Sequence, residues 1–139
     1  GIPAAADVRG AKSSLSLIAG GTPPELLVTL VSVNVVPKQA VTRVRTRLAQ
    51  NISQDGAFAN ANIEVNREKH ESPNGFAGMD GKKIGRPNKG RALITSDVAP
   101  TSNNWHAGTL TLEAKPGQTI ESFTLGGHTW RIDDMCFAL

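Results

Sequence analysis

Apolar side chains in this chain recur at every second position, and nowhere do ten consecutive residues carry a helical period. That pattern confines the chain to strands, because only an extended backbone sends alternate side chains to opposite faces. Leu15 and Leu17 alternate with Ser14 and Ser16, and Gly20-Gly21-Thr22-Pro23-Pro24 ends that segment. Leu26 to Val36 reads as one longer strand closed by Pro37, and Val41 to Ala49 as the next. Residues 51–56 read as a turn, and Ala57 to Asn66 as the hairpin partner of the strand before it. A polar loop bearing Gly and Pro is expected from Glu71 to Gly90, then a short strand from Ala92 to Ser96 and a turn at 101–104. The clearest alternation comes last. Thr109, Thr111 and Glu113 oppose Leu110, Leu112 and Ala114, Lys115-Pro116-Gly117-Gln118 has Pro-Gly at the centre of a turn, and strands follow over 119–125 and 128–139.

About seven to nine short strands at this spacing predict an all-β antiparallel sandwich, of jelly-roll or immunoglobulin-like wiring. Residues 1–12, rich in Gly, Pro and Ala, show no alternation long enough for a strand and are expected to form an extended N-terminal arm. Residues 13–139 then form one domain, a length sufficient to bury its own core. With Cys136 the sole cysteine, no intramolecular disulfide can form. Its alternation with Met135 and Phe137 suggests a small buried residue. No apolar run is long enough to cross a bilayer as a helix. No secretory signal is evident, and the start at Gly1 fits either a processed methionine or a removed leader.

Catalytic patterns are missing. His70, His106 and His128 show no metal-ligand spacing, and no HExxH, GxSxG or paired-carboxylate motif occurs, so neither a cofactor nor a metal is expected. Asp133-Asp134 reads as a turn cap or a partner for Arg rather than a calcium ligand pair. The charge pattern is more telling than the net charge of +3. Arg43, Arg45 and Arg47 are spaced by two, so they leave one face of a strand while Val44 and Leu48 take the other. That places guanidinium groups roughly 7 Å apart, near the phosphate spacing of a nucleic-acid strand. Each planar fork can give two parallel hydrogen bonds to a phosphate. Asn60 and Asn62, with Glu64 and Asn66, are expected to lie beside them on the hairpin partner. A second basic group, Lys82, Lys83, Arg86, Lys89 and Arg91, is interleaved with Gly and Pro and could follow an anionic backbone.

The run from Thr109 to Phe137, with TLTL, PGQTI, FTL and IDD in order, resembles the closing strands of secreted jelly-roll carbohydrate-binding modules. That likeness implies glycan stacking on Trp105 and Trp130. The Arg-bearing segment is similar in pattern to the nucleic-acid-facing hairpin of small RNA-phage coat proteins, which end in two helices where this chain ends in strands. The expected function is a non-enzymatic structural subunit of a multi-copy assembly, a virus or phage coat. Its partners would be copies of itself and nucleic acid, in a particle assembled in the cytoplasm. The alternative is an extracellular carbohydrate-binding or adhesion module with a glycan as partner. Scarce aromatics and no tyrosine favour the first.

Overall fold

A computed structural model describes residues 2–9, 14–19, 26–28, 32–37, 39–51, 61–72, 75–101, 105–127 and 130–139. The strands are β1 (Ile2–Arg9), β2 (Ser14–Ala19), β3 (Leu26–Val28), β4 (Ser32–Pro37), β5 (Arg43–Asn51), β6 (Ala61–Val65) and β7 (Glu68–Ser72). They continue with β8 (Lys83–Ile84), β9 (Ala92–Ser96), β10 (Ala99–Pro100), β11 (Trp105–Ala114), β12 (Phe123–Gly127) and β13 (Trp130–Ala138), and a 3-10 turn covers Phe76–Met79. Two sheets result. The front sheet runs β8-β9-β11-β5-β13, with β10 on β11 and β3 on β13. The back sheet runs β7-β6-β12-β4-β2-β1. Every pairing is antiparallel except that of β2 with β4. The chain is therefore an all-β, sandwich-like domain, as its alternation predicts.

Burial follows parity. Val44 and Leu48 of β5, Leu110 and Leu112 of β11, and Ile94 of β9 point inward from the front sheet. They meet Val35, Ile63, Val65, Phe123 and Leu125 of the back sheet. Phe123 and Phe137 touch across the two sheets with ring centroids 6.3 Å apart. Strand β13 keeps its apolar residues inside only by a register shift between Asp133 and Cys136. Trp130 and Ile132 are buried before the shift, Met135 and Phe137 after it, so one bulge exchanges odd and even positions.

The structure departs from the alternation in four places. The segment expected to be an arm is strand β1, which pairs with β2 and, through Ile2 and Pro3, with the end of β13. Its Ala run gives no periodic signal, but pairing partners rather than intrinsic preference decide strand formation. The stretch read as one strand from Leu26 to Val36 is divided into β3, on the front sheet, and β4, on the back. The region read as loop from Glu71 to Gly90 contains the end of β7, the 3-10 turn and β8. The turn is held because Gln50 Oε1, inside the core, accepts from the Phe76 N–H at 3.2 Å, and Phe76 packs on Trp130 at 5.5 Å.

The fourth departure concerns the hairpin of β5. The strand expected beside it, now β6, lies in the other sheet between β12 and β7. The partners of β5 are β11, from Trp105↔Asn51 to Glu113↔Arg43, and β13. Tight hairpins need connections of about two to five residues, and the longer stretch between β5 and β6 permits a crossing to the facing sheet. Residues 52–60, including the expected turn and Asn60, lie outside the described residues.

One side chain ties the back sheet to its surroundings. Asn66 and Arg67 form the β6–β7 turn with φ of 48° and 71°, the left-handed pair of a tight hairpin. The Asn66 amide donates to Gly90 O at 2.9 Å and Thr119 O at 3.1 Å, while its Oδ1 accepts from the Glu121 N–H at 2.7 Å. Gly90 itself has a φ of 113°, and a Cβ there would collide with the Asn66 amide. Replacing Asn66 with Ala should cost about 2–4 kcal/mol, combining an unfavourable left-handed backbone with unpaired polar groups. Asn66→Gly should cost less, since only the hydrogen bonds are lost. Urea denaturation of both variants measures the two contributions.

Candidate nucleic-acid interface

Position along β5 decides where its charge goes. With Val44, Thr46, Leu48 and Gln50 buried, Arg43, Arg45 and Arg47 must leave the opposite side of the strand. Arg45 and Arg47 are exposed and Arg43 is half-buried. Because β5 lies between β11 and β13, this stripe runs down the middle of the front sheet's outer face rather than along its edge.

The register identifies each neighbour. Arg43 stands between Glu113 and Ala138, and the same row continues through Leu93 to Lys83. Arg45 stands between Thr111 and Cys136, with Thr95 beyond Thr111. Arg47 stands between Thr109 and Asp133. Arg45 thus has uncharged neighbours on both sides. Carboxylate-bearing positions adjoin the stripe at each end. Cys136 differs from expectation, being half-buried on the outer side beside Arg45. The β13 bulge reverses parity at that point, so Met135 and Phe137 turn inward and Cys136 outward.

The other residues expected at an anion site are distributed elsewhere. Asn62 is on β6, half-buried in the back sheet, so it does not accompany the arginines. The basic loop is divided as well. Lys83 lies on the front face in the row of Arg43, with Lys82 exposed beside it. Arg86 and Lys89 border a groove of about 960 Å³ on the outer side of the back sheet, with Arg67, Glu64, Glu121 and Asn34. Arg91 is half-buried, and its N–H donates to Gln118 Oε1 at 2.7 Å. The loop is fastened to its surroundings. Gln118 also donates through Nε2 to Pro87 O, and Arg86 pairs with Glu68 at 2.8 Å. Gln118 is in position because Pro116-Gly117 makes the predicted turn, with Gly117 at φ 82° and Gln118 N bonded to Lys115 O at 2.9 Å.

Trp130, expected as a glycan-stacking group, is wholly inside the core against Phe76. Its position before the bulge turns it inward, so it offers no surface to a ligand. Trp105 is half-exposed on the front face, and the Arg131 guanidinium carbon lies 4.4 Å from its ring centroid. Arg131 completes the cationic face and was not singled out by spacing, because the bulge and the fold, not adjacency in sequence, align it with β5. Ser96 and Asp97 are occupied with backbone, Ser96 Oγ accepting from Val98 N and Asp97 Oδ1 from Thr109 N. The side chains of Asp133 and Asp134 and all of His128 lie outside the described residues. Among the described residues no three His, Cys, Asp or Glu side chains approach closely enough to hold a metal ion, and no helix is long and apolar enough to cross a membrane.

No family model, curated protein or solved structure matches the chain. The fastening of the basic loop is directly testable. Gln118→Ala should raise the rate of tryptic cleavage at the Lys89–Gly90 bond several-fold with the melting temperature little changed, measured by timed digestion and mass spectrometry.

Proposed function

We propose that this chain is a non-enzymatic structural subunit of a multi-copy assembly, a virus or phage coat, whose front sheet faces packaged nucleic acid. The observation that carries this reading is the central arginine stripe. Three guanidinium groups share one face at roughly 7 Å intervals, and hydroxyl-bearing Thr95, Thr109 and Thr111 lie alongside. Such a face neutralises phosphates and releases their counterions without reading sequence, which suits a subunit that must cover any part of a genome. Hydroxyls add hydrogen bonds to phosphate oxygens without adding charge.

The wiring is consistent with a jelly-roll rather than an immunoglobulin-like sandwich. The chain passes between sheets from β4 to β5, β5 to β6, β7 to β8, β11 to β12 and β12 to β13, so most long connections cross the core. The alternative of a glycan-binding module is weakened by the burial of Trp130, which leaves Trp105 as the exposed indole.

Light scattering on the purified protein, with absorbance at 260 and 280 nm on the same peak, tests the proposal. A large particle with excess 260 nm absorbance is expected, and a monomer without nucleic acid would overturn it. Replacing Arg43, Arg45 and Arg47 together with Ala should lower nucleic-acid content. It should also reduce the slope of log affinity against log salt by about 2–3, as expected for three lost phosphate contacts. An unchanged slope would remove the arginines from the interface.

A further inference from the structure

The front face is interrupted at one place. Where β5, β11 and β13 run side by side below the arginine stripe, a hollow of about 460 Å³ opens, with Ala49 and Ala107 as its floor and Arg47, Thr109 and Arg131 around it. Ala107, Ala49 and Arg131 occupy one cross-strand row, so two small residues stand next to a long one. Arg131 starts on β13 and Trp105 on β11, about 10 Å away across β5. The arginine spans that distance because Ala49, the residue between, has only a methyl group. Its guanidinium is thereby laid flat on the indole at 4.4 Å, backed by an aromatic ring while Arg131 remains exposed. A guanidinium supported this way is a rigid planar platform, and nucleobases stack on such planes as they do on aromatic rings.

Resting on the nucleic-acid role proposed above, the geometry points to a subsite in this hollow for one nucleotide of a single strand. The base lies over Ala49 and Ala107 against the Arg131–Trp105 pair, and its phosphates continue up β5 to Arg45. The phosphates are assigned to Arg45 because its register neighbours, Thr111 and Cys136, carry no charge, whereas Arg47 already interacts within the protein. The strand must be single, since in a duplex the base face is covered by its stacked neighbours. The stripe alone reads phosphate, but the hollow requires a base as well. A neutral glycan could stack on the platform but would leave Arg45 without an anionic partner.

The test uses a labelled twelve-nucleotide oligo(U) and the matching oligo(dT) in fluorescence anisotropy, with inorganic polyphosphate as competitor. Trp105→Ala removes the backing ring, and Ala49→Gln fills the hollow without touching a charge; circular dichroism establishes that both variants fold. The inference expects each variant to lose about tenfold in oligonucleotide affinity, the order of one lost stacking contact, while competition by polyphosphate stays as in the parent protein. The size of the loss with each oligomer tells whether ribose or deoxyribose polymers use the subsite. Parent protein that binds oligonucleotides with no effect of either variant would overturn the subsite and leave the phosphate-reading face in place. Parent protein that binds neither oligonucleotide nor polyphosphate would overturn the nucleic-acid role itself. Binding of a neutral oligosaccharide with the same sensitivity to both variants, and none of oligonucleotide, would replace the nucleotide with a glycan.

Discussion

A strand cannot move one side chain to the other face without moving all of them. In β5 that constraint joins the interior of the protein to its outer surface. Val44 and Leu48 belong to the core, so the arginines between and beside them are committed to solvent, in line and at fixed spacing. Thr46 and Gln50 occupy inward positions too, and each is satisfied locally: the Thr46 hydroxyl donates to Arg47 O, and Gln50 holds the 3-10 turn. A slip of one residue would bury three guanidinium groups and expose the core, a cost far beyond the marginal stability of a domain. The cationic face is thus as secure as the hydrophobic packing behind it.

The same logic explains which features could be read in advance. The β5 stripe and the polar–apolar division of β6 depend on parity within one segment, and the residues themselves carry that information. The Pro116-Gly117 turn was legible for a similar reason, because Gly alone takes its backbone conformation without cost. Pairing between segments was not legible. Nothing in residues 61–66 says that they lie against β12 instead of β5, and both arrangements bury Ile63 and Val65 equally well. The β13 bulge was equally hidden. Simple alternation through Met135, Cys136 and Phe137 leaves open which of them faces inward, and the shift between Asp133 and Cys136 settles it against the cysteine. Trp130 and Trp105 looked alike as aromatic residues near a strand start, yet parity and the bulge send one into the core and the other to the surface.

The two outer faces differ in kind. The front carries Arg43, Arg45, Arg47, Arg131 and Lys83 among threonines and alanines. The groove on the back mixes Arg67, Arg86 and Lys89 with Glu64 and Glu121, so its charges offset one another at short range. Asn66 and Gln118 keep the basic loop on the back side, and in doing so prevent its cations from joining the front stripe. An anionic polymer therefore encounters one face with a consistent sign and one without.

The position of β13 has a consequence for synthesis. It is made after β5 and β11, yet it supplies one of the two edges along which β5 is hydrogen-bonded, and it also receives β1 and β3. While the chain emerges from the ribosome, β5 can pair with β11 but presents a bare row of amide and carbonyl groups on its other side. Two copies on neighbouring ribosomes could join along that row before either is complete, because an open strand edge accepts any extended partner. The arginines offer a safeguard during this interval. Nascent chains carrying like charges along the same strand repel one another, so the residues that face the polymer in the finished protein also keep unfinished copies apart.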